Sequence, residues 1–220
     1  MSLLRLLVLA ATAAALIVPA RAADLTAAEL AQALQRKYET VRDFSADFVH
    51  VYQGGVLRKR LTERGRVLVK KPGKMHWTYT EPDKKTFVSD GVKFYSHIPQ
   101  DKQVIVSAVP RDDKASTPTL FLAGKGDLAR DFIASAAEVP EGMPAGTRAL
   151  KLAPKTRQQD YDWLILAVDP ATLQIRGFVT IDAQGGQSSF SFTNLKENIG
   201  LADKEFAFKI PRGVDVISTP

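Results

Sequence analysis

The chain has 220 residues, of which 45% are hydrophobic, and this length suits one domain or at most two. Its formal net charge of +6 is mildly basic, and without a nucleic-acid-binding motif it does not indicate a nucleic-acid partner. The absence of cysteine excludes disulfides and also excludes a lipid anchor on a cysteine.

The first 22 residues have the pattern of a secretory signal peptide. Arg5 precedes an apolar run that ends at Val18, and residues 20–22 form an A-x-A cleavage site. The apolar run is too short for a comfortable membrane span. We therefore expect cleavage after Ala22, export as a soluble protein, and a single domain over residues 23–220.

An amphipathic helix is predicted at the start of the mature chain. Thr26 and Glu29 have the S/T-x-x-E spacing of a capping box. Apolar residues then recur at helical spacing, at Leu30, Leu34, Tyr38 and Val41. The helix therefore has one face to bury.

Strand patterns dominate the rest of the chain. Alternation predicts strands in FSADFVHVYQ, GRVLVKK, KMHWTYTE, KTFVSDGVKFYS and KQVIVSAV, and later in RALKLAP, DWLILAVD, LQIRGFVTID and QSSFSFTNL. Asp90-Gly91 is a strong hairpin signal. Between the two groups, Pro118 suits a helix start and Gly124 a helix stop, and a second short turn is predicted from Asp127 to Phe132.

This order of elements predicts a mainly β fold with helices (α+β). Consecutive strands with short turns indicate an antiparallel meander, interrupted once by short helices. A long meander tends to curl, and helices can pack on its open face.

Catalytic and metal-binding patterns are weak. The three histidines, His50, His76 and His97, lie in separate strand patterns and do not pair at metal-ligand spacing. No activated-nucleophile context such as G-x-S-x-G is present. We therefore expect no metal site, and not an enzyme.

The remaining chemistry is apolar. Met75, Trp77 and Tyr79 share one face of a strand, and Phe94 and Tyr95 follow in the next hairpin. By pattern alone, such a stripe is more often core than binding site. Binding would require that the curved sheet and the helices do not fill the space between them.

Several motifs together resemble the family of periplasmic outer-membrane lipoprotein carriers (LolA). They are the basic-Pro turn and the apolar-x-Trp that follows it, the Ser-Asp-Gly hairpin, a TPTLFLAGKGDL helix and the C-terminal F-x-F-x-x-P-x-G-V-D-V. These lie at 71–77, 89–91, 117–128 and 206–216. The resemblance covers nearly the whole mature chain.

The resemblance implies an incomplete, strongly curved antiparallel β-barrel with helices as a lid over an apolar cavity. The cavity would take the acyl chains of lipoproteins, with walls that include Met75, Trp77, Tyr79, Phe48, Phe94, Tyr95, Leu120 and Phe121. Such a carrier is a periplasmic shuttle that uses no cofactor and makes transient membrane contact, and a monomer is the simplest expectation for a shuttle. It receives cargo from an inner-membrane ABC transporter and passes it to an outer-membrane acceptor.

The chain departs from the family pattern at the turn before the stripe. Lys71 stands where the family often has an arginine that hydrogen-bonds to the lid helices, so the resemblance implies a lid latch at Lys71. Met75 replaces a common phenylalanine. Three alternatives stay open: a carrier of another amphiphile such as a glycolipid, a sensor of mislocalised lipoproteins, and an enzyme.

Overall fold

A computed structural model describes residues 25–54, 59–109, 121–157, 161–181 and 185–219. The predicted signal peptide and Leu120 lie outside these residues.

The first helix, α1 (Ala27–Glu39), begins at the predicted capping box. The backbone N–H of Thr26 donates to Glu29 Oε2 at 2.8 Å, and that of Glu29 donates to Thr26 Oγ1 at 3.3 Å. The capped start confirms the predicted first helix.

Twelve strands follow in the described part of the chain. They are β1 (Asp43–Gln53), β2 (Arg60–Lys70), β3 (Lys74–Glu81), β4 (Lys85–Asp90), β5 (Lys93–Ile98), β6 (Gln103–Ala108), β7 (Phe132–Ala137), β8 (Arg148–Pro154), β9 (Trp163–Val168), β10 (Ile175–Ile181), β11 (Gln187–Glu197) and β12 (Asp215–Ser218). A short helix, α2 (Leu128–Asp131), directly precedes β7, and Asp127 caps it. These bounds confirm the predicted alternation of strands around a short helical interruption.

All twelve strands belong to one sheet, in the order β12-β6-β5-β4-β3-β2-β1-β11-β10-β9-β8-β7. Two meanders, β1–β6 and β7–β11, are therefore joined side by side where β1 pairs with β11. The pairing is antiparallel except between β12 and β6, which are parallel. The expectation of a purely antiparallel sheet is corrected at this edge, because the C-terminal segment returns along the first meander.

The sheet is strongly curved. Trp77 on β3 and Phe190 on β11 are separated by β2 and β1, which corresponds to about 14 Å across a flat sheet. Their ring centroids are nevertheless only 5.5 Å apart. Side chains can meet across three strand spacings only on the inner face of a curved sheet. The open, curved sheet with its helices confirms the predicted incomplete barrel.

The inner face of the sheet holds the core. Helix α1 contacts β7 and β8 and buries Leu30, Leu34 and Tyr38 against it. Within the part of the chain that is described, no helix has the length and apolar character needed to cross a bilayer.

Candidate functional site

Strand β3 supplies one wall of an aromatic site. Most of its side chains alternate between buried and half-buried, as expected when only one face of a strand is covered. Met75, Trp77 and Tyr79 all point to the inner face and are 4–7% exposed. The outer face of the same strand carries His76 and Thr78.

A small cavity of about 100 Å³ lies against this wall. It is lined by Met75, Trp77, Tyr79, Phe87, Phe94 and Phe190. Phe87 and Phe94 are half-buried, so the cavity approaches the surface on their side. Every lining side chain is aromatic or a thioether, which suits an apolar ligand.

Phe48 on β1 packs directly against the wall. Its ring centroid is 5.1 Å from that of Trp77 and 4.8 Å from that of Tyr79, in edge-to-face geometry. Gly65 on β2 makes room for this ring. A Cβ at Gly65 would lie 2.7 Å from the Phe48 ring and 2.1 Å from the carbonyl oxygen of Thr78.

The structure brings together some of the residues that the sequence predicted for the cavity and separates others. Met75, Trp77, Tyr79 and Phe94 line it, whereas Phe48 contacts the rings of Trp77 and Tyr79 without lining it. Phe121 lies elsewhere and stacks on Tyr38, with 5.2 Å between ring centroids.

The prediction that Tyr95 lines the cavity is corrected by the structure. Strand period places it on the face opposite to Phe94, where its ring packs on Phe208 at 5.2 Å and its hydroxyl lies 3.5 Å from Asp90 Oδ2. Two adjacent aromatic residues of one strand were predicted to line the cavity, and only one of them can face inward.

Two lining residues, Phe87 and Phe190, were missed. Phe190 lies in the predicted strand QSSFSFTNL, more than a hundred residues after β3. Only the curvature of the sheet brings its ring near Trp77. Phe87 is the cross-strand partner of Trp77. Its position beside the stripe, in a hairpin that the sequence did predict, was the available signal.

Lys71 lies in the turn between β2 and β3, at the end of the wall nearest to Met75. Its ammonium donates a hydrogen bond to the carbonyl oxygen of Tyr38 and lies 3.5 Å from the centroid of the Tyr38 ring. Burial lowers the pKa of Lys71 to about 8, although Glu39 and Glu197 oppose this shift.

The segment of residues 121–124, here called the lid segment, meets Lys71 and α1. The backbone N–H of Gly73 donates to the carbonyl oxygen of Ala123 at 2.8 Å, and the Tyr38 hydroxyl donates to that of Leu122. A Cβ on Gly124 would come within 2.8 Å of the Lys71 stem, and its φ of +87° also favours glycine. Lys71 thus touches both α1 and the lid segment.

A polar cluster lies at the opposite end of the wall, next to Tyr79. The buried Glu63 carboxylate accepts from Lys85 Nζ and lies 3.1 Å from His50 Nδ1. The His50 ring stacks on Phe190, with centroids 4.0 Å apart. Burial lowers the pKa of His50, against the opposing effect of Glu63. Each charge has a partner, so this cluster closes the apolar region at that end.

Comparison with known proteins gives one family. Residues 39–209 match the family described as "Outer membrane lipoprotein carrier protein LolA". A protein from Chromohalobacter salexigens named outer-membrane lipoprotein carrier protein is 32% identical over 189 residues, covering 85% of this chain and 86% of that protein. One of the same name from Methylococcus capsulatus is 30% identical, covering 81% and 82%.

A solved structure shares the fold. The crystal structure of an uncharacterized conserved protein from Thermus thermophilus superposes with a TM-score of 0.51 at 15% identity. The match covers 86% of this chain and 99% of that one.

Proposed function

Because the chain belongs to the LolA family of outer membrane lipoprotein carrier proteins, we propose that it carries lipoproteins across the periplasm by holding their acyl chains. The aromatic cavity is the observation that carries this proposal, since its walls offer an acyl chain apolar contact and no charge. The protein makes no covalent change to the cargo and is not an enzyme. It is exported by its signal peptide and acts as one domain over residues 23–220.

The size of the cavity implies that it must open. Its volume of about 100 Å³ equals the share of about three water molecules in the liquid, far less than an acyl chain requires. We place the opening at the lid segment because its carbonyl oxygens accept hydrogen bonds from Gly73 and Tyr38, and its Gly124 meets the Lys71 stem, at the end of the wall nearest to Met75. Lys71 therefore acts as the latch of the empty, closed protein.

A closed empty state also solves the problem of release. Three acyl chains of roughly 16 carbons, wholly buried, would gain on the order of 30 kcal/mol at about 0.8 kcal/mol per methylene. Non-covalent affinities saturate at about 20 kcal/mol, and a carrier must bind more weakly than that. Partial coverage and a favourable closed state both lower the affinity enough for transfer.

The transfer partners follow from this role. An inner-membrane ABC transporter would load the carrier, and an outer-membrane acceptor would unload it. The family membership is the reason for proposing both partners.

Adjacent residues on β5 provide a matched test. Phe94 lines the cavity, whereas Tyr95 faces the other way and packs on Phe208. Phe94→Gln should weaken binding of a fluorescent diacylated lipopeptide by about ten-fold or more, because a buried aromatic contact is worth about 1.5–3 kcal/mol. Tyr95→Gln should leave affinity within about two-fold, because strand period places Tyr95 on the face opposite to the cavity, which it does not line.

Both variants are compared by affinity per folded molecule, with the folded fraction taken from thermal melting. Equal affinities for the two variants would contradict the assignment of the cavity. Failure of the wild-type protein to bind any diacylated lipopeptide would contradict the carrier function itself.

A further inference from the structure

One polar atom stands out in the aromatic wall. The indole nitrogen Nε1 of Trp77 is buried and has no hydrogen-bond partner among the described residues. Among the described residues it is also the only side-chain nitrogen in the cavity lining, where Tyr79 has a hydroxyl and the other residues are Met75 and phenylalanines. A buried donor without a partner loses its hydrogen bond to water and gains nothing in return, so native proteins seldom leave one unpaired.

Tryptophan is an unusual choice for a purely apolar wall. Phe48 and Phe190 meet Trp77 edge to face, at interplanar angles of 62° and 69°, so a phenylalanine ring would offer the same kind of apolar contact. What the indole adds is one N–H donor and no acceptor. The donor therefore needs an acceptor, and none of the described residues is bonded to it.

We propose that the Trp77 indole N–H donates a hydrogen bond to an acyl ester carbonyl of the bound lipid. This inference rests on the proposed lipid-carrier function and adds a polar recognition point within the apolar cavity. The ester carbonyl would mark where an acyl chain begins, so Trp77 would set how deeply the chain enters.

The chemistry of the surroundings selects a neutral acceptor. A phosphate or carboxylate would need a cation beside it, and no described residue of the cavity lining is a cation. The nearby ammonium of Lys85 lies 5.8 Å from the Tyr79 ring and is already bound to Glu63. A carbonyl oxygen joined directly to a hydrocarbon chain fits both the apolar walls and the unpartnered indole donor.

The experiment compares two lipids that differ only at the ester. One is a lipopeptide with two ester-linked palmitoyl chains on its glyceryl-cysteine, and the other is its dialkyl ether counterpart. The wild-type protein should bind the ester lipid about three- to ten-fold more tightly, the range expected for one neutral hydrogen bond. Trp77→Phe should remove this preference by losing affinity for the ester lipid alone.

The second tryptophan gives a matched control. Trp163 on β9 is half-buried and lies under Lys151 Nζ, 4.8 Å from its ring centroid, away from the cavity lining. Trp163→Phe should keep the ester preference of the wild-type protein. The chain has only these two tryptophans, so indole N–H resonances in the NMR spectrum are readily assigned. The Trp77 indole proton should shift downfield with the ester lipid and not with the ether.

The outcomes distinguish the ester contact of Trp77 from the proposed lipid-carrier function. Equal binding of both lipids by the wild-type protein would leave the carrier function standing and overturn the ester contact. It would mean that the indole is satisfied by water or by a weak contact to a neighbouring ring. An unshifted Trp77 resonance would overturn it even if Trp77→Phe fails to fold. Binding of neither lipid would overturn both proposals.

Discussion

The two halves of the curved sheet bury different kinds of side chain. In the second meander, α1 covers β7 and β8. The leucines of β8 and β9 form a fully buried aliphatic layer of Leu150, Leu152, Leu164 and Leu166. In the first meander, the inner face is dominated by Met75 and aromatic rings, and the cavity lies there. Five of the six lining residues come from β3, β4 and β5, and one comes from β11.

The difference shows how one sheet can supply both stability and a binding site. Leucine side chains under a helix interdigitate to high density, and this density supports the fold. The aromatic rings of the first meander border a cavity, and no α-helix of the described chain is in substantial contact with β4 or β5. Mutations in the two halves should therefore separate folding from lipid binding.

The strongest effect should fall on the aliphatic half. Leu152→Ala should lower the free energy of unfolding by about 2–5 kcal/mol, because the residue is fully buried and leaves a cavity. Lipopeptide affinity per folded molecule should not change, since Leu152 does not line the site. Urea unfolding and a binding titration check the two parts. Leu61→Ala, at a leucine that is 38% exposed, should change stability by no more than about 0.5 kcal/mol.

A more modest effect should follow at the latch. Lys71→Met keeps an unbranched stem against Gly124 but removes the ammonium that contacts the carbonyl and ring of Tyr38. Losing a partly buried cation–π contact and a hydrogen bond should increase opening by about three- to ten-fold. Hydrogen exchange of the Gly73 amide, which donates to Ala123, should accelerate, and lipopeptide affinity should rise because the competing closed state is less stable.

Lys71→Arg is the control at the same position. Arginine retains a cation that can reach the Tyr38 ring and carbonyl, so Gly73 protection should stay closer to that of the wild-type protein. If Lys71→Met leaves Gly73 exchange and lipopeptide affinity unchanged, Lys71 is not a latch.

The weakest effect concerns pH and the polar cluster. Burial holds the pKa of His50 below its ordinary 6.5, so the unfolded chain binds more protons than the folded protein between those two values. His50 therefore contributes stability above pH 6.5 that is lost as pH falls toward its folded pKa. His50→Gln should flatten this loss in urea unfolding at mildly acid and mildly alkaline pH.

His97→Gln gives the comparison for that measurement. His97 lies on the outer side of β5 near Phe208, with 6.0 Å between ring centroids, and away from the cavity lining. Its replacement should leave the difference between the two pH values intact. A pH dependence that disappears in His97→Gln and persists in His50→Gln would contradict the assignment.

Much of the fold could be predicted because its signals are local. The capping box at Thr26, the hairpin at Asp90-Gly91 and the alternation on β3 each depend on residues a few positions apart. The cavity was predicted in part, through Met75, Trp77, Tyr79 and Phe94. Phe190 was missed because its contact with Trp77 depends on how the sheet curves across three strand spacings.

The order of residues was enough to say which faces of each element are apolar, since a period of two in strands and 3.6 in helices follows from backbone geometry. It was also enough for the family, because ordered motifs are readable without coordinates. Three features required the folded chain: Tyr95 faces away from Phe94's cavity, β12 runs parallel to β6, and the Trp77 indole has no partner among the described residues. These are relations between residues distant in the chain or between a side chain and its surroundings, and packing alone sets them.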